Sequence, residues 1–201
     1  MPTHSAGPVG PFQEMRPIMY DSPNRSAPMA PLAEAAVGRW TLDSDRSSIT
    51  LQHTGFWGLA KIKGAFTRFS GEGAVLADGS AHGTLTVDAA SVDTGITKRD
   101  AHLRTADFFD VANHASFVFR AIRVTPSGPA SAEVTGELTV RGQTRPLSFT
   151  AQAAEASENA VTLTAEVDIA RGDFGMTANP LGLMKALTTL TITTRFTRVG
   201  P

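Results

Sequence analysis

The 201-residue chain has no cysteine. That absence removes disulfides, thiolate metal sites, iron–sulfur clusters and cysteine nucleophiles together. It also has no block of like charge: 18 basic residues stand against 19 acidic ones, a formal charge of −1, so a nucleic-acid partner is not expected. No run of 18 apolar residues occurs, so no transmembrane helix is expected. The five histidines, His4, His53, His82, His102 and His114, show no HxH or HxxxH spacing, and no local metal site or cofactor follows from them. GxSxG and a Gly-rich phosphate loop are missing as well.

What is present divides the chain in two. Seven of the 12 prolines (Pro2, Pro8, Pro11, Pro17, Pro23, Pro28 and Pro31) precede residue 37, in a stretch that can hold neither a helix nor a sheet ladder. Residues 1–36 therefore read as a Pro-rich flexible extension, and 37–200 as the folded domain. Prolines and polar residues interrupt every apolar window of the extension, so no secretory signal is read there. The default compartment is the cytoplasm, with export as the alternative.

From Trp40 onward the hydrophobic period is two, the mark of half-buried strands. Ile49, Leu51 and His53 alternate with polar residues, as do Ile62, Gly64 and Phe66; Leu85, Val87 and Ala89; Phe117, Phe119 and Ala121; Val134, Gly136, Leu138 and Val140; Leu147, Phe149 and Ala151. Val161 to Ile169 and Leu190, Ile192 and Phe196 complete about eight strands. The opposite faces carry Thr, Arg, Lys, Glu and Asp, as in an antiparallel sheet with one wet side. Ala77–Ser80, Pro126–Pro129 and Arg141–Gln143 have turn chemistry. Eight such strands avoid a long exposed edge by closing into a barrel. The fold class is all-β. The run TGITKRDAHLRTADFFD, Thr94 to Asp110, departs from the period: Thr97 is a plausible N-cap, Asp100 and Arg104 stand at i,i+4, and a short helix over about 97–106 should lie across the barrel opening on Leu103, Phe108 and Phe109. Arg171 to Met184 reads as a loop or short helix over the other side of that opening.

Trp40-Thr41-Leu42-Asp43, Ser47-Ser48, Gly64 to Gly71, the Thr94–Asp110 run, Gly136 to Pro146 and Arg171-Gly172-Asp173-Phe174-Gly175 follow one another in an order that resembles the YceI-like family, over about Gly38 to Arg198. The resemblance implies an eight-stranded antiparallel, lipocalin-like barrel whose apolar interior holds a polyisoprenoid lipid, such as a prenyl quinone or polyprenyl phosphate. It also allows a homodimer.

Residue chemistry is compatible with that expectation. Gly64, Ala89, Ala121, Gly136, Ala151 and Ala165 are small at inward positions, which would leave space in a barrel of this size. At roughly 0.8 kcal/mol per buried CH₂, a few isoprene units suffice for binding without directional contacts. The residues expected to touch such a ligand are Phe66, Leu103, Phe108, Phe117, Phe119, Ala121, Gly136, Leu138, Phe149 and Phe174. Lys98, Arg99 and Arg104 are candidates for an anionic head group, against the plainer reading that they hold the rim together. An enzyme working inside the same barrel is the alternative. It would need a buried ionisable group with a partner, and the sequence offers only His53. Asp107 and Asp110 read as caps of the helical turn rather than as a catalytic carboxylate pair.

Overall fold

The structure, a computed structural model, describes Leu32 and residues 35–55, 60–178 and 184–200. Most of the 1–36 extension and the stretches 56–59 and 179–183 lie outside the described residues. The strands are β1 (Gly38–Gly55), β2 (Ala60–Phe66), β3 (Phe69–Val75), β4 (Ala81–Asp88), β5 (Val92–Asp93), β6 (Ser116–Gly128), β7 (Ser131–Val140), β8 (Gln143–Ala156), β9 (Ala160–Ala170) and β10 (Met184–Arg198), with one helix, α1 (Thr97–Leu103).

All pairings are antiparallel, and the sheet closes where β10 pairs with β1. Ten strands fill eight positions. β1 pairs with β3 over Gly38–Thr41 and with β2 over Ile49–Gly55 on the same edge, so β2 and β3 are successive halves of one bent strand. β4 and β5 likewise run against β3 and β2 in turn, separated by a 3₁₀ turn at Ala89–Ser91. The result is the eight-stranded antiparallel barrel that the period-two pattern predicts, with a short helix at one end.

The bend has a matching irregularity in β1, whose register against β10 shifts between Asp43 and Ser48. The Ser47 hydroxyl donates to the Asp43 carbonyl at 2.6 Å and accepts the Arg195 N–H at 2.9 Å, supplying bonds that the ladder loses there. The hairpin between β7 and β8 is tight: Arg141 (φ 51°) and Gly142 (φ 70°) both occupy the left-handed region, as a two-residue turn with the twist of its strands requires. At the β6–β7 hairpin the turn falls two residues later than Pro126–Pro129, at Gly128–Ser131, because β6 continues through Pro126 to Gly128.

Inward residues form two buried groups. One, at the α1 end, contains Leu51, Phe66, Val87, Val92, Phe117 and Phe174. The other gathers Trp40, Ala132, Ala153, Ala156 and Val161 at the opposite end, with Leu32 among them. Leu32 falls in the stretch read as an extension, yet it is buried, and its N–H donates to the Pro129 carbonyl at 3.2 Å. Trp40 Nε1 donates to the Ala36 carbonyl at 3.1 Å.

Candidate functional site

Between the two buried groups the barrel encloses a cavity of about 350 Å³, within the range of small-molecule sites. Its middle is lined by Leu85, Phe119, Leu138, Phe149, Leu190 and Ile192, large apolar side chains that are only half-buried because they face this space. Phe119 and Phe149 stack across it in a tilted pair, with centroids 5.6 Å apart.

The α1 end is covered by the helix and the turns after it. Leu103 and Phe108 reach the cavity wall, while Phe109 packs edge-on to Phe117 at 5.1 Å and tilted to Phe66 at 6.0 Å. With seven residues, α1 is too short to persist unaided. Thr97 does not cap it: the N-cap is Ile96, without a side-chain bond, and Thr97 is the first helical residue. The helix ends at Leu103, before the expected 106. Tertiary bonds hold it instead. Buried Asp100 accepts from the Thr94 N–H at 3.0 Å and the Thr94 hydroxyl at 2.5 Å, so it is not partnered with Arg104.

The three proposed head-group cations are therefore differently placed. Lys98 is exposed and off the cavity. Arg104 donates to the Ala90 and Val92 carbonyls, both at 2.8 Å. Arg99 lines the wall, but its Nε and Nη2 are committed to the Thr94 hydroxyl and carbonyl at 2.7 and 2.9 Å. Arg141 ties the cover down from the β7–β8 turn, donating to the Gly175 carbonyl at 2.9 Å and the Ala106 carbonyl at 3.0 Å.

Of the ten expected contact residues, Phe66, Leu103, Phe108, Phe117, Phe119, Ala121, Leu138 and Phe149 line the cavity. Two do not. Gly136 has no space beside it: a Cβ there would meet the Arg120 carbonyl oxygen at 2.3 Å and the Phe119 ring at 2.8 Å, so this glycine admits a neighbouring strand and ring rather than a ligand. Phe174 is buried in the α1-end group behind the lining. Gly64 is small for a similar reason, since Thr94 and the Asp93 carbonyl occupy the space of its missing side chain.

Arg171 was absent from the expected contacts although it lines the cavity. The signal was available, since Val161, Leu163, Ala165, Val167 and Ile169 point inward at period two and Arg171 is the next position in phase. His53 lines the same wall, with Nδ1 3.0 Å from the Thr188 hydroxyl and Nε2 without a partner among the described residues. Burial, and then the Arg171 charge, hold its pKa below the usual 6.5, so the ring is neutral at pH 7. Burial also lowers the pKa of Arg171, which stays charged. Among the described residues no group of three or more His, Asp or Glu is arranged to hold a metal ion.

A closed antiparallel barrel whose inward side chains border an apolar cavity, with a helical cover at one end, defines a ligand-binding barrel. Residues 40–197 match the YceI-like domain, and the chain belongs to that family. A UPF0312 protein of Vibrio cholerae is 36% identical over 99 residues, 47% of this chain and 51% of its own length. One from Shewanella baltica is 32% identical over 131 residues, 62% of this chain and 66% of its own. The match thus spans about half the length of the Vibrio relative. Among solved structures, Burkholderia cenocepacia BcnA superposes with a TM-score of 0.69 at 19% identity, over 77% of this chain and 98% of its own. A polyisoprenoid binding domain from Saccharophagus degradans gives 0.62 at 16% identity, over 80% and 98%. At these identities the likeness is one of fold.

Proposed function

We propose that the chain binds a polyisoprenoid lipid inside the barrel without transforming it, for storage, transport or sequestration. The observation that carries this reading is the ring of half-buried apolar side chains, Leu85, Phe119, Leu138, Phe149, Leu190 and Ile192, facing a common space. Such surface is poorly hydrated and gains from an apolar chain in proportion to the area covered. Family membership and the fold shared with a polyisoprenoid binding domain support the same reading. His53, the residue a catalytic alternative needs, has as polar neighbours a threonine hydroxyl, the Leu187 carbonyl and an arginine, and among the described residues no carboxylate pairs with it.

The test is native mass spectrometry of freshly purified protein, followed by lipid extraction. A co-purifying mass with the C₅ increments of a polyprenyl chain is expected. Protein that carries no lipid and takes up none from added polyprenol sinks the proposal.

A further inference from the structure

We propose that the lipid's head group is anionic, a phosphate or a carboxylate, and that it seats inside the cavity against Arg171 and His53 rather than at the α1 rim. This rests on the reading that the cavity holds a lipid.

Of the buried polar or charged side chains among the described residues, three line the cavity: His53, Arg171 and Thr194. Two of them stand together. His53 is paired in register with Thr188, Ala170 with Leu187, and Arg171 donates to the Lys185 carbonyl, so both side chains leave the same corner between β1, β10 and the end of β9. Thr194 lies six residues farther along β10 from Thr188, roughly 20 Å at about 3.3 Å per residue. Arg99, Glu72, His82, Thr84 and Thr164 also border the space but are more exposed, so the most deeply buried charge of the lining sits in one corner, with a mostly apolar wall beyond it, the shape of an amphiphile.

The sign of the head group follows from what Arg171 lacks. Its side chain is 8% exposed, and its contacts are long ones to neutral carbonyls: Nε and Nη2 to Lys185 at 3.4 and 3.3 Å, and Nη1 to Ala178 at 3.4 Å. Among the described residues no carboxylate lies within 4.0 Å of it. A guanidinium removed from water without a counter-ion is costly. It has five N–H donors, of which its contacts among the described residues use three, leaving donors for an incoming anion there. Beside it, His53 is 5% exposed and faces the Thr188 hydroxyl and the Leu187 carbonyl; among the described residues its Nε2 has no partner by hydrogen-bond geometry, a second hydrogen-bonding position with no charge to oppose the first. A neutral head group would leave the charge of Arg171 without a counter-charge among the described residues. The rim cations are a poorer match, since Arg99 and Arg104 already spend donors on backbone within 2.7–2.9 Å.

The experiment compares three probes with the same C₂₀ isoprenoid chain by fluorescence displacement on the full chain: geranylgeranyl monophosphate, geranylgeraniol and geranylgeranoic acid. Wild type is expected to hold at least one anionic probe roughly ten- to a hundredfold more tightly than the alcohol, the range for charge-assisted hydrogen bonds. Which anion is favoured tells phosphate from carboxylate. In Arg171→Gln the preference should collapse while the alcohol still binds, which also reports an intact cavity. Arg171→Lys should keep part of the preference, and His53→Phe should reduce it. Equal binding of all three probes by wild type overturns the head-group assignment without a variant and leaves the lipid reading standing. Parallel loss of all three in Arg171→Gln, with the same loss in Arg171→Lys, also overturns it by making Arg171 a strut. Wild type that binds none of the probes sinks the lipid reading itself.

Discussion

Gly136 and Ala121 are paired in register across the β6–β7 ladder, yet only Ala121 borders the cavity. The sequence marks both as small inward residues, because alternation reports which side of a strand a residue takes and not what stands opposite. The two sites should therefore respond differently to added bulk. Gly136→Ala has to displace backbone at 2.3 Å and is expected to cost about 1–3 kcal/mol in urea unfolding, with lipid affinity of the folded fraction preserved. Ala121→Phe should fill the bore, lowering lipid uptake with little change in unfolding midpoint; a reversal of the two results would place the open space elsewhere. His53 gives a second test at this scale. Its folded pKa lies below 6.5, so the unfolded chain takes up its proton first as pH falls. This contribution to stability is complete above about pH 6.5 and is lost below it, down to the depressed folded value. Asp78, Asp88 and Glu155 are also held below their usual values, but they titrate in the more acidic carboxylate range. Urea midpoints measured from about pH 7.5 to 5.5 should fall for wild type and stay flatter for His53→Gln. Equal slopes would remove His53 as the cause.

Among the elements, α1 depends most on its surroundings. Arg104 joins it to the Ala90 and Val92 carbonyls, and Val92 is 1% exposed, so losing that guanidinium strands a buried acceptor. Arg104→Ala is expected to cost about 1.5–3 kcal/mol and to speed release of neutral and anionic lipids equally, read as off-rates in a stopped-flow displacement. A loss confined to anionic lipids would make the rim a head-group site after all. Elements were legible where side chains carried the alternation. The first half of β1 was not: Asp43, Ser44, Asp45, Arg46 and Ser47 are five polar residues in succession, and the register shift between Asp43 and Ser48 interrupts the pleat there. β3 hid for another reason. Gly71 and Gly73 occupy two of its alternating positions, because the Thr84 and His82 carbonyls pass 3.1 and 2.7 Å from where their Cβ atoms would be, and a glycine shows no hydrophobicity to count. The site was legible in its apolar part for the reason the strands were, while its polar corner combines residues 118 positions apart, His53 and Arg171, that only the closure of β10 onto both β1 and β9 brings together.

For the molecule as a whole, Leu32 is buried in the Trp40 group and its N–H donates to the Pro129 carbonyl, so truncations on either side of it should differ. Deleting residues 1–31 should leave thermal stability unchanged within about 1 kcal/mol, because a proline-rich polar stretch has little apolar surface to bury. Deleting 1–36 also removes the Leu32 side chain from the Trp40 group and the Ala36 carbonyl from Trp40 Nε1, and should cost about 2 kcal/mol by the usual value for a buried leucine. Identical melting curves for the two truncations would show that Leu32 adds nothing. Closure of the ring by β1 and β10 also sets a timetable for biosynthesis. Without residues 184–198, β1 and β9 would each have an unpaired edge and the sheet could enclose no interior. A chain that has yet to add β10 thus has no interior to offer, and any ligand of the barrel can be enclosed only once that last strand closes the ring.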